Sequence, residues 1–187
     1  MHSPFLPPPS PVGSLRYMNY ERDYPSLPQS VPEARDHFMQ AVRRSGLDQD
    51  TADAALVCLS ELATNAVRHA RDPRPEPLRR FRVCSSIVGR RDRRLRLAVQ
   101  DPDRHRIPLL PPPGEAAEAL VGLDPDCPSG RGLLLVATYA PDCGILHGPS
   151  VRGKVIWCRL PLNSTQRRQE EFPTAADGTG PAIRPGR

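Results

Sequence analysis

The stretch Leu59-Ser-Glu61-Leu-Ala-Thr-Asn65-Ala-Val-Arg68-His69-Ala70 decides how this sequence is read. With Ala55 and Leu56 before it, Leu59, Leu62, Ala63 and Ala66 recur at helical spacing and predict an amphipathic helix. Glu61 and Asn65 stand one turn apart on that helix and project together. Arg68 and His69 continue the same side, away from the leucine stripe. A carboxylate and an amide on a mostly apolar helix are costly unless something engages them. Two readings follow: an exposed polar face closed by an i,i+4 hydrogen bond, or a pair that does chemistry.

Working outward, Asp48 or Thr51 caps this helix, which is expected to reach about Ala70. Upstream, Ser30-Val-Pro-Glu33 has the pattern of a helix start, with a cap serine, an early proline and a glutamate three residues on. That helix is expected over 31–45, stopping at Gly46. Downstream, the prolines of Arg71–Pro77 forbid a helix. Phe81–Val88 and Leu95–Gln100 read as strands, and Leu95, Leu97 and Val99 alternate with Arg96, Ala98 and Gln100, so one face is core. Residues 101–114 read as a proline-rich loop, and a short helix is expected over 115–121. Gly130-Arg-Gly132 opens a third main helix, Leu133 to about Tyr139. Ile145-Leu146 and Val155–Leu160 supply two more strands, and residues 15–24 an edge strand. Helix, helix, strand, strand, helix, strand, strand predicts an α+β two-layer sandwich, with helices on one face of a mixed, mostly antiparallel sheet.

The chain of 187 residues is 38% hydrophobic and 25% charged, enough for one domain with a real core. The domain is expected over 23–163, between flexible tails at 1–22, which is proline-rich, and 164–187. Net charge is +5, and Lys154 is the only lysine among the basic residues. The densest run, Arg90, Arg91, Arg93, Arg94 and Arg96, reads as a solvated hairpin tip or as a contact for an acidic partner. Aromatic residues make up 5%, and no stacking or recognition-helix pattern stands out, which argues against a nucleic-acid surface. Five cysteines without a C-x-x-C pair argue against a disulfide framework or zinc site and point to reduced, buried thiols. No apolar stretch approaches a membrane span and no signal pattern opens the chain, so a cytoplasmic protein is expected.

Three further signals accompany Glu61 and Asn65. Asp101 follows an alternating strand, where a carboxylate can accept from the exocyclic amine of a purine; strand-end aspartates also simply begin turns. Ser129-Gly-Arg-Gly132 precedes an apolar helix, where glycines let backbone N–H groups approach a phosphate. Gly153-Lys154 leads into the last strand, and its bland reading is a hairpin glycine beside a solvated lysine.

In this order the four signals resemble the GHKL ATPases. Leu56–Ala70, Gly130-Arg-Gly-Leu-Leu-Leu-Val136 and Gly153-Lys-Val-Ile-Trp157 are especially similar to the branch of serine/threonine kinases that act as anti-sigma factors. The resemblance spans about 24–162 and implies a Bergerat-type ATP-binding fold with ATP and Mg2+ as cofactors. It implies that Asn65 holds Mg2+ and that Glu61 is the general base or positions the attacking group. Asp101 would take the adenine amine, and Gly130, Arg131, Gly132 and Leu133 would form the phosphate-side helix start. Lys154 would touch phosphate or close the pocket, and Arg68 and His69 would lie beside the nucleotide. The implied partners are a sigma factor and a small protein similar to an anti-anti-sigma protein, with a homodimer as the implied assembly. The family's aspartate motif often continues Asp-x-Gly-x-Gly, whereas Asp101-Pro-Asp103-Arg-His105 has neither glycine. Threonine often follows Gly-Lys; here it is Val155. Those departures set the alternative, a non-catalytic nucleotide-sensing or partner-binding regulator with a degenerate ATP site.

Overall fold

The helix that carries Glu61 and Asn65 is also the helix on which the core is built. In a computed structural model of the protein, the described residues are 18–68, 78–89, 92–112, 115–116 and 131–162. The elements are β1 (Asn19–Pro25), α1 (Ser30–Ser45), α2 (Gln49–Arg68), β2 (Arg80–Val88), β3 (Arg94–Asp101), α3 (Arg131–Tyr139), β4 (Asp142–His147) and β5 (Lys154–Pro161). The strands form one sheet in the order β1-β2-β3-β5-β4, and all four pairings among the described residues are antiparallel. α2 contacts α1 on one side and α3 on the other, and lies over β2, β3 and β5. The architecture is the α+β sandwich that the pattern predicts.

The periodicity explains the packing. Ala55, Cys58, Leu59, Leu62 and Ala66 of α2 are buried against Phe81, Val83, Leu95, Leu97, Val99, Ile156, Cys158 and Leu160 of the sheet. Each leucine taken fully out of water there contributes about 1.5–3 kcal/mol. The small residues at 55, 58 and 66 let the helix lie close to the strands. α1 buries Ala34, Phe38 and Val42, with Phe38 edge-on to Tyr20 of β1. Tyr24 stacks on Phe81, and its hydroxyl bonds to those of Tyr20 and to Nδ1 of His37, which satisfies a polar group in a buried place.

The ends of the elements differ in detail from the reading of the sequence. Ser30 is not the cap of α1. It is already helical, because the turn before it hydrogen-bonds into the helix: the Ser30 amide donates to Leu27 O and the Val31 amide to Pro28 O. Gln29 holds the cap position without a side-chain hydrogen bond, and Gly46 ends the helix in the left-handed region at φ 74°. For α2, Asp48 and Thr51 act together: the Asp48 carboxylate accepts from both the amide and the hydroxyl of Thr51. The edge strand runs Asn19–Pro25, within a residue of the expected end at 24 and overlapping the stretch 1–22 expected as tail. The loop over 71–77 and most of the helix expected over 115–121 lie outside the described residues.

The face of the sheet away from the helices is charged. Arg82 grips Asp23 through two nitrogens and Glu21 through a third contact. Arg159 lies over the Trp157 ring, 4.9 Å from its centre, and pairs with Asp142. Of the arginine run, Arg94 binds Asp92, while Arg96 faces Arg159 across the β3–β5 pairing; Arg90 and Arg91 lie outside the described residues. The four described cysteines are free thiols, Cys58 and Cys158 buried; Cys127 lies outside the described residues.

Candidate functional site

β3 alternates so that Asp101 falls on the same face as Leu95, Leu97 and Val99, and the β3–β5 register sets it directly opposite Lys154. Both are almost fully enclosed, with 2% and 3% of their surface exposed. Lys154 Nζ donates to Asp101 Oδ2 at 2.6 Å and to the Asp103 carbonyl at 2.9 Å. The Asp103 amide donates to Asp101 Oδ1 and the His105 amide to Asp103 Oδ1, each at 2.8 Å. This ladder holds the chain after Asp101 in a tight path, with Asp103 and His105 at the positions of the Asp-x-Gly-x-Gly glycines. Gly153 permits it from the other side: its φ is +82°, and a Cβ there would collide with the Asp101 carbonyl and with Pro102. Burial pushes the Asp101 carboxyl above the ordinary aspartate value, against the pull of Lys154 and of the Asp103 amide. Lys154 is therefore not the solvated lysine of the bland reading.

The pair forms part of the wall of a cavity of about 600 Å³, a size typical of cofactor sites. Ile156 flanks Lys154; Asn65 enters from α2, and Gly132, Leu133 and Leu134 enter from the first turn of α3. The remaining wall is the irregular stretch 106–111. The sequence predicts only a loop there. Its Ile107, Leu109 and Leu110 between prolines were the available signal: apolar residues on a segment too proline-rich to be helix or strand need a surface to lie on. Leu109 is nonetheless 93% exposed, so one side of the strap faces out.

Glu61 and Asn65 share a face of α2 but meet different surroundings. Asn65 lines the cavity. Glu61 does not; its carboxylate packs under the start of α3, where a Cβ on Gly132 would collide with Oε2. Among the described residues no hydrogen bond joins Glu61 to Asn65, so the pair is not a self-contained i,i+4 contact. Arg131 is the first residue of α3. Arg68 is exposed at the end of α2 and is not among the lining residues. His69 and Gly130 lie outside the described residues.

The model of the histidine kinase-like ATPase domain matches residues 24–160, from within β1 to the last strand. The chain belongs to that family. Its histidine kinase-like ATPase fold is also similar to a solved structure from Mycobacterium tuberculosis, the RsbU and RsbW domains of Rv1364c. The TM-score is 0.52 at 15% identity, over 76% of this chain. The chain spans about a third (32%) of the length of that structure. No curated protein matches it in sequence.

The family implies a nucleotide with Mg2+, and the residues present fit such a group. The cavity is lined by the Asp101–Lys154 polar pair and by the first turn of α3, which carries a glycine. Backbone N–H groups at a helix start favour anions. Among the described residues no three His, Cys, Asp or Glu side chains gather as a metal site. A divalent ion beside Asn65 would therefore take most of its ligands from phosphate and water, as Mg2+ commonly does. No helix among the described residues is long and apolar enough to cross a membrane.

Proposed function

We propose that the protein binds Mg-ATP in this cavity and acts as a serine/threonine kinase on a small partner protein, in the manner of an anti-sigma factor. The observation that carries the reading is the convergence of Asn65, Asp101 and the Gly132 turn on one cavity from three separate elements. Asp101 accepts from the base amine at one end. The N–H groups of the α3 first turn receive phosphate oxygens at the other, and the Asn65 side-chain oxygen holds the ion between them. Mg2+, when bound, neutralises phosphate charge. Phosphoryl transfer needs mainly such positioning. Glu61 stands one turn from Asn65 and takes the role of proton acceptor for the incoming hydroxyl. In this reading the partner docks where the strap 106–111 and the start of α3 meet, is a small protein similar to an anti-anti-sigma protein, and alternates with a sigma factor. A homodimer and a cytoplasmic setting belong to the same proposal.

A second reading is favoured by one feature. Glu61 lies beneath Gly132 and off the cavity wall, which suits a nucleotide-sensing regulator that does not transfer phosphate. Calorimetry with Mg-ATP on the wild type, Asn65→Ala and Asp101→Ala tests the shared part. Binding by the wild type with a loss of about tenfold or more in each variant, at least about 1.4 kcal/mol, is expected. No binding at millimolar nucleotide would sink both readings. Transfer of the γ-phosphate of Mg-ATP to a serine on a small partner protein then separates them: a kinase transfers it and Glu61→Gln lowers that transfer at unchanged nucleotide affinity, whereas a sensor transfers none.

A further inference from the structure

Lysine occurs once in this chain, every other basic residue being arginine, and that single lysine stands in the cavity wall. A surface charge would be served equally by either residue. A buried site selects between them, because an ammonium is a compact charge with three donors and a guanidinium is a flat fork. Two donors of Lys154 are accounted for by Asp101 Oδ2 and the Asp103 carbonyl. Its third has no acceptor among the described residues, and the side chain borders the cavity. Each Asp101 oxygen accepts one hydrogen bond, Oδ1 from the Asp103 amide and Oδ2 from Lys154. Each therefore keeps a lone pair. The wall offers an acceptor and a donor side by side.

The geometry points to Lys154 as a residue that reads the nucleobase, an inference that rests on the Mg-ATP reading above. Asp101 accepts from the exocyclic amine of adenine, and Lys154 donates to the ring nitrogen N1 beside it. Adenine carries donor and acceptor in that order. Guanine and hypoxanthine carry them reversed, with an oxygen at position 6 and an N–H at N1. With the phosphates fixed at the start of α3, those bases set oxygen against the Asp101 carboxylate and N–H against the ammonium. A site built to hydrogen-bond a substrate rejects an analogue that leaves its buried polar groups unpaired. Lys154 thus adds discrimination that a carboxylate alone lacks.

The test is calorimetry on the full chain with Mg-ATP and with the magnesium complex of 1-deaza-ATP, in which C–H replaces N1. The proteins are the wild type, Lys154→Met and the double variant Lys154→Met/Asp101→Asn. The double variant removes both buried charges together and so avoids stranding a lone carboxylate. The wild type should bind 1-deaza-ATP about tenfold or more weakly than ATP, as befits loss of a charged hydrogen bond. The Lys154 variants should bind the two nucleotides within about twofold of each other. A lysine with only a structural role would lower both affinities alike and leave their ratio unmoved. Equal binding of the two nucleotides by the wild type, or a penalty that persists in a folded Lys154 variant, overturns the inference while leaving nucleotide binding intact. Failure of the wild type to bind either nucleotide overturns the Mg-ATP reading and this inference with it.

Discussion

Asp101 and Lys154 are held as one unit, and the residue that allows their approach is Gly153. A buried ion pair is costly to assemble but far costlier to break, because removal of one partner strands a charge out of water at about 3–5 kcal/mol. Gly153 closes the β4–β5 turn, and its lack of a Cβ lets the start of β5 lie against the backbone of Asp101 and Pro102 at the end of β3. A methyl at 153 meets both a positive φ and the backbone of Asp101 and Pro102. Gly46 is a natural control, since it has φ +74° with nothing within 4 Å of an added Cβ. Gly153→Ala is expected to cost about 2 kcal/mol or more, with the clash added to the backbone strain. Gly46→Ala should cost about 1 kcal/mol, from strain alone. Urea unfolding of both variants decides it. Equal losses would mean that the 101–102 backbone yields freely and that the ladder around Asp101 is not rigid.

At the scale of elements, most of the sheet and helices was legible because each obeys one period. α2 shows the 3.6-residue repeat through its buried small residues and leucines, and β3 sets Leu95, Leu97 and Val99 on one face with only Ala98 buried on the other. What the sequence did not show is pairing across distance. That Lys154 faces Asp101 depends on the β3–β5 register, and that Glu61 lies under Gly132 depends on the crossing of α2 and α3. Neither leaves a local trace. The strap 106–111 was hidden for a different reason: prolines abolish the periodicity by which a wall-forming segment is recognised. The edge strand β1 was expected only loosely, since its outward residues Glu21 and Asp23 are charged, and what holds them is Arg82 on β2. The hydrogen bonds from Arg82 hold the Asp23 carboxyl below its ordinary value of 3.8. A depressed carboxyl stabilises the fold at neutral pH, and that contribution is lost as the pH falls through the folded-state value. Asp23→Asn should therefore cost about 0.5–1 kcal/mol at neutral pH, the range for a solvent-screened pair. The gap from wild type should close as the solution is acidified below the normal aspartate range. A gap that stays constant into strong acid would assign the loss to packing at the sheet edge instead.

For the whole molecule, the cavity sits at the junction of the two layers, where α2 and α3 come down onto β3 and β5. It is walled by α2, the end of β3, the stretch 106–111, the first turn of α3 and the start of β5. The layers otherwise meet through close-packed apolar side chains, so a ligand that fills this junction ties together parts that only the complete fold brings near. Such a ligand binds the native state and not the unfolded chain, and mass action then raises stability by about 2.7 kcal/mol at a hundredfold excess over the dissociation constant. For a domain of this size, Mg-ATP at that excess should raise the melting temperature by roughly 5 °C or more. Asn65→Ala should keep its own melting temperature close to that of the wild type, because Asn65 borders the cavity and makes no hydrogen bond among the described residues. Its shift with the same concentration of Mg-ATP should shrink by about half, as about a tenfold weaker affinity requires. Scanning calorimetry of the two proteins with and without nucleotide measures both quantities at once. An equal shift in both would remove Asn65 from the nucleotide site and with it the ion-holding role proposed for it.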